Sequence, residues 1–189
     1  VGNLNAPDAE NGNDIAGLYI VSGTNVNVYY NTIYLNASST SAGFGTMGIY
    51  ASTTPTVDLR NNLVVNTSTA GTGGFTAAYR RAGTSLDDYA TTSNNNAFYA
   101  GTPGAQNVIF YDGTNADQTL ADFQARVAPR ESFSVTENPT FLSTTGSAAD
   151  FLHIDATVNT TLESAGENVS GITDDFDGQT RQGNTGYAG

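Results

Sequence analysis

Short alternations of apolar and polar residues, each about four residues long, fill the N-terminal half of the chain and recur at a fixed interval. Gly17-Leu18-Tyr19-Ile20-Val21 returns 31 residues later as Gly48-Ile49-Tyr50-Ala51-Ser52. Val26-Asn27-Val28-Tyr29-Tyr30-Asn31-Thr32-Ile33 returns without a gap as Val57-Asp58-Leu59-Arg60-Asn61-Asn62-Leu63-Val64. The same step backwards joins Leu35-Asn36-Ala37 to Leu4-Asn5-Ala6. Each unit predicts three strands, at 18–21, 26–29 and 33–36, matched by 49–52, 57–60 and 64–67. Period-2 alternation turns Leu18, Ile20, Val26, Val28, Ile33 and Leu35 inward, with Ile49, Ala51, Val57, Leu59 and Val64 above them. Tyr19, Asn27, Tyr29 and Tyr34 then face outward, followed on the next coil by Tyr50, Asp58, Arg60 and Val65. A unit this small cannot bury its apolar face alone, so the pattern predicts an all-β solenoid in which units stack on one another.

A two-residue corner, Tyr30-Asn31 and then Asn61-Asn62, separates the second strand from the third. Asn tolerates the left-handed backbone of a tight bend, and its amide can bond the same amide one coil away. A third, degraded copy runs from Ala78-Tyr79 to Asn95-Asn96-Ala97-Phe98-Tyr99, with an excursion expected over 80–93. Polar, Gly-rich loops at 7–16, 38–47 and 68–77 leave the same corner of each coil and should pile up on one side. Beyond residue 100 the repeat fades. We therefore divide the chain into regular coils over 1–99 and C-terminal coils with a cap over 100–189, both parts of one domain. In the second part Asn107–Tyr111 reads as a strand and Thr119 as the N-cap of a short helix ending at Val127. Further strands are expected at 132–135, 139–142 and 151–154. A cap is needed because a solenoid otherwise ends in unpaired strand edges.

Composition narrows the chemistry. Eighteen carboxylates face six basic residues, all of them Arg, for a formal charge of −12. Such a surface repels phosphate backbones and anionic lipid, which argues against nucleic acid as a partner. The absence of Cys excludes a disulfide scaffold and thiol chemistry. No apolar run approaches the ~20 residues that span a bilayer, so membrane insertion by a helix is not expected. No leader peptide is visible, and Val1 falls at what reads as the end of a coil, so further coils of a parent chain are expected before it.

The repeat residues Gly-Leu-Tyr…Val-Asn-Val-Tyr-Tyr-Asn-Thr-Ile and their second copy resemble the right-handed parallel β-helix proteins of the pectin-lyase-like superfamily. They are most similar to the exported β-helix surface proteins common in Bacteroidota. The C-terminal runs Gln118-Thr119-Leu120-Ala121-Asp122-Phe123-Gln124, Asn138-Pro139-Thr140-Phe141 and Asp175-Phe176-Asp177-Gly178-Gln179-Thr180-Arg181 carry the same likeness. The resemblance implies an extracellular, cell-surface module of a larger protein. It leaves the activity open, since this scaffold serves polysaccharide lyases, glycoside hydrolases, adhesins and inert stalks alike.

The residues themselves offer no catalytic constellation. A lyase needs cations and a base around a uronate, and a hydrolase needs carboxylates converging on one glycosidic bond. The coils supply only Asp58 and Arg60, two residues apart on one face, which read as a surface ion pair. Arg80, Arg81, Asp87 and Asp88 read as a loop salt-bridge network. His153 is the only histidine and is expected to face away from the core. An enzyme remains the alternative, as part of a lyase or hydrolase whose site lies on coils outside this sequence; a pure assembly element is a third reading. Two binding candidates are stronger. Tyr19, Tyr50 and Tyr79 are expected to form an outward aromatic stripe for stacking on sugar, with Tyr29 and Arg60 nearby, or else a ladder that only stabilises the sheet. Asp174, Asp175 and Asp177 with Gly178 group carboxylates in a turn, as Ca²⁺ prefers, although a plain Asp/Gly turn has the same sequence. Asp8, Glu10 and Asp14 are a weaker set. No motif requires a cofactor, and Ca²⁺ is the one ion for which ligands can be drawn.

Overall fold

The computed structural model describes residues 15–181. Leu4-Asn5-Ala6 and the Asp8, Glu10, Asp14 set lie outside the described residues. Three strands build the first coil, β1 (Ile15–Ile20), β2 (Asn25–Tyr29) and β3 (Thr32–Leu35). The second coil repeats them as β4 (Thr46–Ala51), β5 (Thr56–Arg60) and β6 (Leu63–Asn66). β7 (Thr76–Arg81) and β8 (Ala97–Tyr99) continue the stack, and β9 (Asn107–Tyr111) adds a further parallel strand beyond the point where the sequence repeat fades. The result is a parallel β-solenoid of about three turns. Its strands form three sheets, β1-β4-β7-β9, β2-β5 and β3-β6-β8, here sheets A, B and C. The core between them holds Ile33, Leu35, Ile49, Leu59, Val64 and Phe98, all essentially inaccessible to solvent.

Sheet A carries a local irregularity that fixes which residues are glycine. Ile49 is fully buried, yet a Cβ on the preceding Gly48 would also point inward, 2.1 Å from Val64 Cγ1. Two consecutive residues thus face the interior, and only Gly leaves room for Val64 across the coil. Gly17 repeats this against Ile33, at 2.4 Å.

Register corrects one sequence expectation. Ile15 pairs with Thr46, but Thr46 pairs with Thr76, so the second step is one residue shorter than the first. Tyr79 therefore aligns with Ile49 and Arg80 with Tyr50. Tyr79 lies at 0% exposure inside the solenoid, not on its outer face. A one-residue slip moves a side chain from one face of a strand to the other. In sheet C the step lengthens instead, Leu63 pairing with Ala97, which absorbs the extra residues expected between 80 and 93.

The loops do stack on one side: Ser38 bridges Thr69, and the amides of Gly71 and Gly73 donate to Phe44 and Ala42 carbonyls at 2.9 and 2.7 Å. At the far end β10 (Ala116–Asp117) turns back antiparallel on β9. The helix α1 (Leu120–Val127) follows, its N-cap Thr119 accepting from the Asp122 amide. Phe123 and Val127 are the buried side of α1, and the Phe123 ring stacks on Phe110 at 4.7 Å between centroids, closing the core. Arg126 clamps Asp117 with two hydrogen bonds of 2.6 and 2.7 Å. Arg130 donates to the carbonyls of Tyr89, Leu86 and Val127, satisfying backbone at the end of the stack.

The strands expected at 132–135, 139–142 and 151–154 are reduced to single bridges: Ala97 with Val135, Phe141 with Ile154 and Ser143 with Phe151. Val135 extends sheet C through its parallel bridge to Ala97, and the stretch after it covers the outer face of that sheet. There Leu63, Val65 and Ala97 are covered by Val135, Phe141, Ile154 and Leu162. That cover explains why Val65, placed outward by alternation, is fully buried.

Candidate functional site

Three columns of side chains run along the solenoid axis. On the outer face of sheet A, Tyr19 and Tyr50 stack with centroids 4.6 Å apart and planes 14° from parallel. The coil spacing of ~4.8 Å sets this contact. Arg80 takes the third position of the column, with its guanidinium 5.0 Å from the Tyr111 ring. The ring faces in this column are turned toward each other, so Tyr50 offers solvent its edge. Tyr19, 61% exposed, is the ring of this column with the most open surface.

On sheet B, Tyr29, Asp58 and Arg60 form one cluster. Arg60 donates to both Asp58 oxygens at 2.8 to 3.1 Å, and the Tyr29 hydroxyl donates to Asp58 Oδ2 at 2.6 Å. Arg60 also lies over the Tyr29 ring at 5.5 Å and reaches Glu167 at 3.6 Å. Burial alone would raise the Asp58 carboxyl, but the Arg60 and Tyr29 hydrogen bonds outweigh it and hold the group below the usual range. Burial, then the hydrogen bond and charge of Asp58, push the Tyr29 phenol up to about 12. The expected surface pair is thus present and larger than the sequence suggested.

At the corner, Asn31, Asn62 and Asn96 form the anticipated ladder. Asn31 Nδ2 donates to Asn62 Oδ1 at 3.0 Å, and Asn62 Nδ2 to Asn96 Oδ1 at 2.9 Å. One N–H of each amide points toward the cap while the other donates to a backbone carbonyl, of Tyr29, Val28 and Leu59 in turn, and the last cap-directed bonds end on a residue the periodicity did not reveal. Asn96 Nδ2 donates to the two Glu131 oxygens at 3.1 and 2.9 Å, while Tyr89 and Ser134 hydroxyls donate to the same carboxylate. Glu131 is completely buried. Desolvation raises its pKa even though these three partners favour the ionised form. Nothing in the sequence marks Glu131, because it follows the helix and stands outside the repeat.

The left-handed corner residues immediately before the ladder, Tyr30, Asn61 and Asn95, have φ of 56°, 55° and 57°. Their side chains project outward and grip a C-terminal strap, residues 161–181. Asn95 Nδ2 donates to the Ala165 carbonyl at 2.9 Å, and Asn61 Nδ2 and the Tyr30 hydroxyl both donate to the Glu167 carbonyl, at 2.9 and 2.7 Å. Between strap and corner runs a groove of about 860 Å³ whose walls include Asn31, Leu63, Phe151, Leu162 and Arg181. Asp58 and Arg60 do not line it.

The remaining candidates are dispersed. Arg81 is buried and ion-paired with Asp88, and its guanidinium lies 5.3 Å from the Tyr89 ring. Asp87 instead meets Ser85 at 3.0 Å. His153 is half-buried, with Nε2 3.4 Å from Asp177 Oδ2. The carboxylates of Asp174, Asp175 and Asp177 do not converge: Asp175 accepts from the Asp177 and Gln179 amides, whereas Asp177 turns to His153. Among the described residues no group of three or more His, Cys, Asp or Glu side chains is placed to hold a metal ion. Among them, too, no helix is long and apolar enough to cross a membrane. No family model matches the chain, and neither the curated proteins nor the solved structures contain a match.

Proposed function

We propose that this chain is a non-catalytic β-solenoid module, a rigid scaffold that presents a polysaccharide-binding surface as part of an exported bacterial surface protein. The observation that carries the reading is the use made of the six arginines, the chain's only fixed cations. Arg60 is held by Asp58, Arg81 by Asp88 and Arg126 by Asp117. Arg130 serves backbone carbonyls, and Arg80 and Arg181 lie over the rings of Tyr111 and Tyr30. A lyase must spare a cation for the substrate carboxylate, whereas here each is committed to holding coils and cap together. The same commitment, with the net charge of −12, favours neutral over anionic glycans. The open ring of Tyr19 is the contact we assign to sugar, with the Tyr29–Arg60 cluster on the adjoining sheet. The extracellular setting and preceding coils rest on the resemblance to pectin-lyase-like β-helix proteins.

The test is thermal unfolding against a panel of neutral and acidic polysaccharides, with product release followed in the same samples. A ligand that binds only the native state raises the midpoint. We expect a shift with a neutral glycan that is lost in Tyr19→Ala. No shift with any glycan would remove the binding role, and released oligosaccharide would overturn the non-catalytic one.

A further inference from the structure

We propose that the strap, residues 161–181, is a clasp that opens as a unit of its own, independently of the coils, and so uncovers the groove beneath it. The argument begins with how the strap is held. It crosses the stack from cap toward first coil, meeting one left-handed corner residue per coil: Asn95 at Ala165, Asn61 at Glu167 and Tyr30 at Glu167 and Val169. These contacts use main-chain atoms of the strap. Asn61 makes two of them, its Nδ2 donating to the Glu167 carbonyl and its Oδ1 accepting the Glu167 amide at 2.8 Å. Side chains add an Arg60–Glu167 pair at 3.6 Å and Arg181 placed 3.9 Å over the Tyr30 ring. At its start the strap is pinned by Glu137, which accepts from the Thr161 amide at 2.7 Å.

What the strap lacks is apolar anchorage. Val169 is its one buried hydrophobic residue, Leu162 is partly buried, and Ile172 and Phe176 are exposed, the latter at 96%. Its internal structure is turns and a single bridge between Asp174 and Thr180. The coils are the opposite case, with continuous parallel ladders and a core at or near zero exposure. Segments with few buried apolar contacts and solvent-accessible hydrogen bonds open at a small fraction of the global free energy. Lifting the strap breaks no ladder bond between coils, because the Asn31–Asn62–Asn96 series faces the interior while the gripping residues face out. It does expose the walls of the 860 Å³ groove, including Leu63, Leu162 and Phe151.

The experiment is hydrogen exchange read by mass spectrometry on the full chain, comparing the native sequence with Asn61→Gly and Tyr30→Phe. Glycine accepts the φ of 55° at this position, so Asn61→Gly removes the two strap bonds without straining the corner. Tyr30→Phe keeps the ring under Arg181 and removes only the hydroxyl. We expect strap peptides to exchange about tenfold or more faster in Asn61→Gly and several-fold faster in Tyr30→Phe, with peptides from β4, β7 and β9 unchanged. Fluorescence of the apolar dye ANS, the probe of the uncovered groove, should rise in the same order. Strap amides as protected as those of β7 in the native chain, or coils accelerated equally by Asn61→Gly, would show one cooperative unit and overturn the proposal. Strap amides exchanging at free-peptide rates in the native chain would overturn the docking itself. Faster exchange without added dye binding would overturn the groove as what the clasp covers.

Discussion

Replacing Glu131 separates the two things a buried carboxylate does at the end of the Asn ladder: accepting hydrogen bonds and carrying charge. Three donors converge on it, from Asn96, Tyr89 and Ser134, in a site with no solvent exposure. Glu131→Ala leaves all three without an acceptor. An orphaned buried donor costs ~1–3 kcal/mol, and the two hydroxyls can reorient toward the low end, so the total is about 3–5 kcal/mol. That is a large share of the ~5–15 kcal/mol by which a domain of this kind is stable. Glu131→Gln keeps the volume and one acceptor oxygen, and its amide can donate to a hydroxyl that turns round to accept. Its loss should stay near 1 kcal/mol by the same reasoning.

The pH dependence gives the second handle. Burial raises the Glu131 pKa above its ordinary value of 4.5. A raised carboxyl binds its proton more tightly in the folded chain than in the unfolded one. Its contribution is therefore complete below pH 4.5 and is lost as pH climbs through the folded value. Asp58 and Asp112 are shifted the other way, below 3.8, so their stabilisation is present above that value and is lost only as pH falls further. The two windows do not overlap. Urea unfolding from pH 4.5 to 8 should show the native chain losing stability with rising pH relative to Glu131→Gln. The reasoning fails if that difference is flat across the range, or if Glu131→Ala costs less than ~1 kcal/mol.

Two further substitutions probe the coils. Gly48→Ala places a methyl 2.1 Å from Val64 Cγ1 and 2.7 Å from the Ala78 carbonyl, and should lower stability by ~2–3 kcal/mol in urea unfolding. Adding Val64→Ala should recover part of that loss, and strictly additive costs would show that the two sites do not meet. Asn62→Asp keeps the shape of the ladder amide but turns an acceptor toward Val28 O and Asn96 Oδ1, which now receive N–H bonds of 2.8 and 2.9 Å. At pH 7 it should cost more than Asn62→Ala, by at least ~1 kcal/mol, with the excess shrinking at pH 4 as the carboxyl gains a proton to donate. Equal losses at both pH values would mean that the direction of the ladder carries no weight.

The coils were legible because their repeat preserves residue type. Asn31, Asn62 and Asn96 are the same amide at a corner, Leu59 and Val64 keep the alternation, and the helix carries its cap at Thr119. Tyr79 was misplaced because its match to Tyr50 relied on residue identity, while the loop before β7 is one residue shorter. Ala77 and Ala78, with no apolar–polar contrast, gave no independent sign of face. Val65 and Asp58 read as outward by period yet are buried, Val65 beneath the C-terminal stretch and Asp58 beneath its neighbours Tyr29 and Arg60 on sheet B. The run Phe151-Leu152-His153-Ile154 has the alternation of a strand but forms only isolated bridges, Ile154 with Phe141 and Phe151 with Ser143. Glu131 and Glu167, which complete the ladder and the clasp, belong to no repeat, so only the folded chain brings them to the corner.

That corner explains how one short sequence feature serves two ends. A left-handed residue followed by Asn sends successive side chains in opposite directions, the first out to the strap and the second in to the ladder. The inner series is buried at Asn62 and Asn96. Its amide-to-amide bonds run in one direction, each strengthening the next, and they end on the Glu131 carboxyl. The outer series faces solvent, and the groups it grips are backbone atoms of a segment with almost no apolar anchorage. Stability and mobility are thus assigned to neighbouring residues of the same turn. Losing Asn61 should free the strap and spare the coils, whereas losing Glu131 should weaken the coils whether or not the strap is closed. A solenoid built this way can change what its flank exposes without yielding the rigidity of its stack.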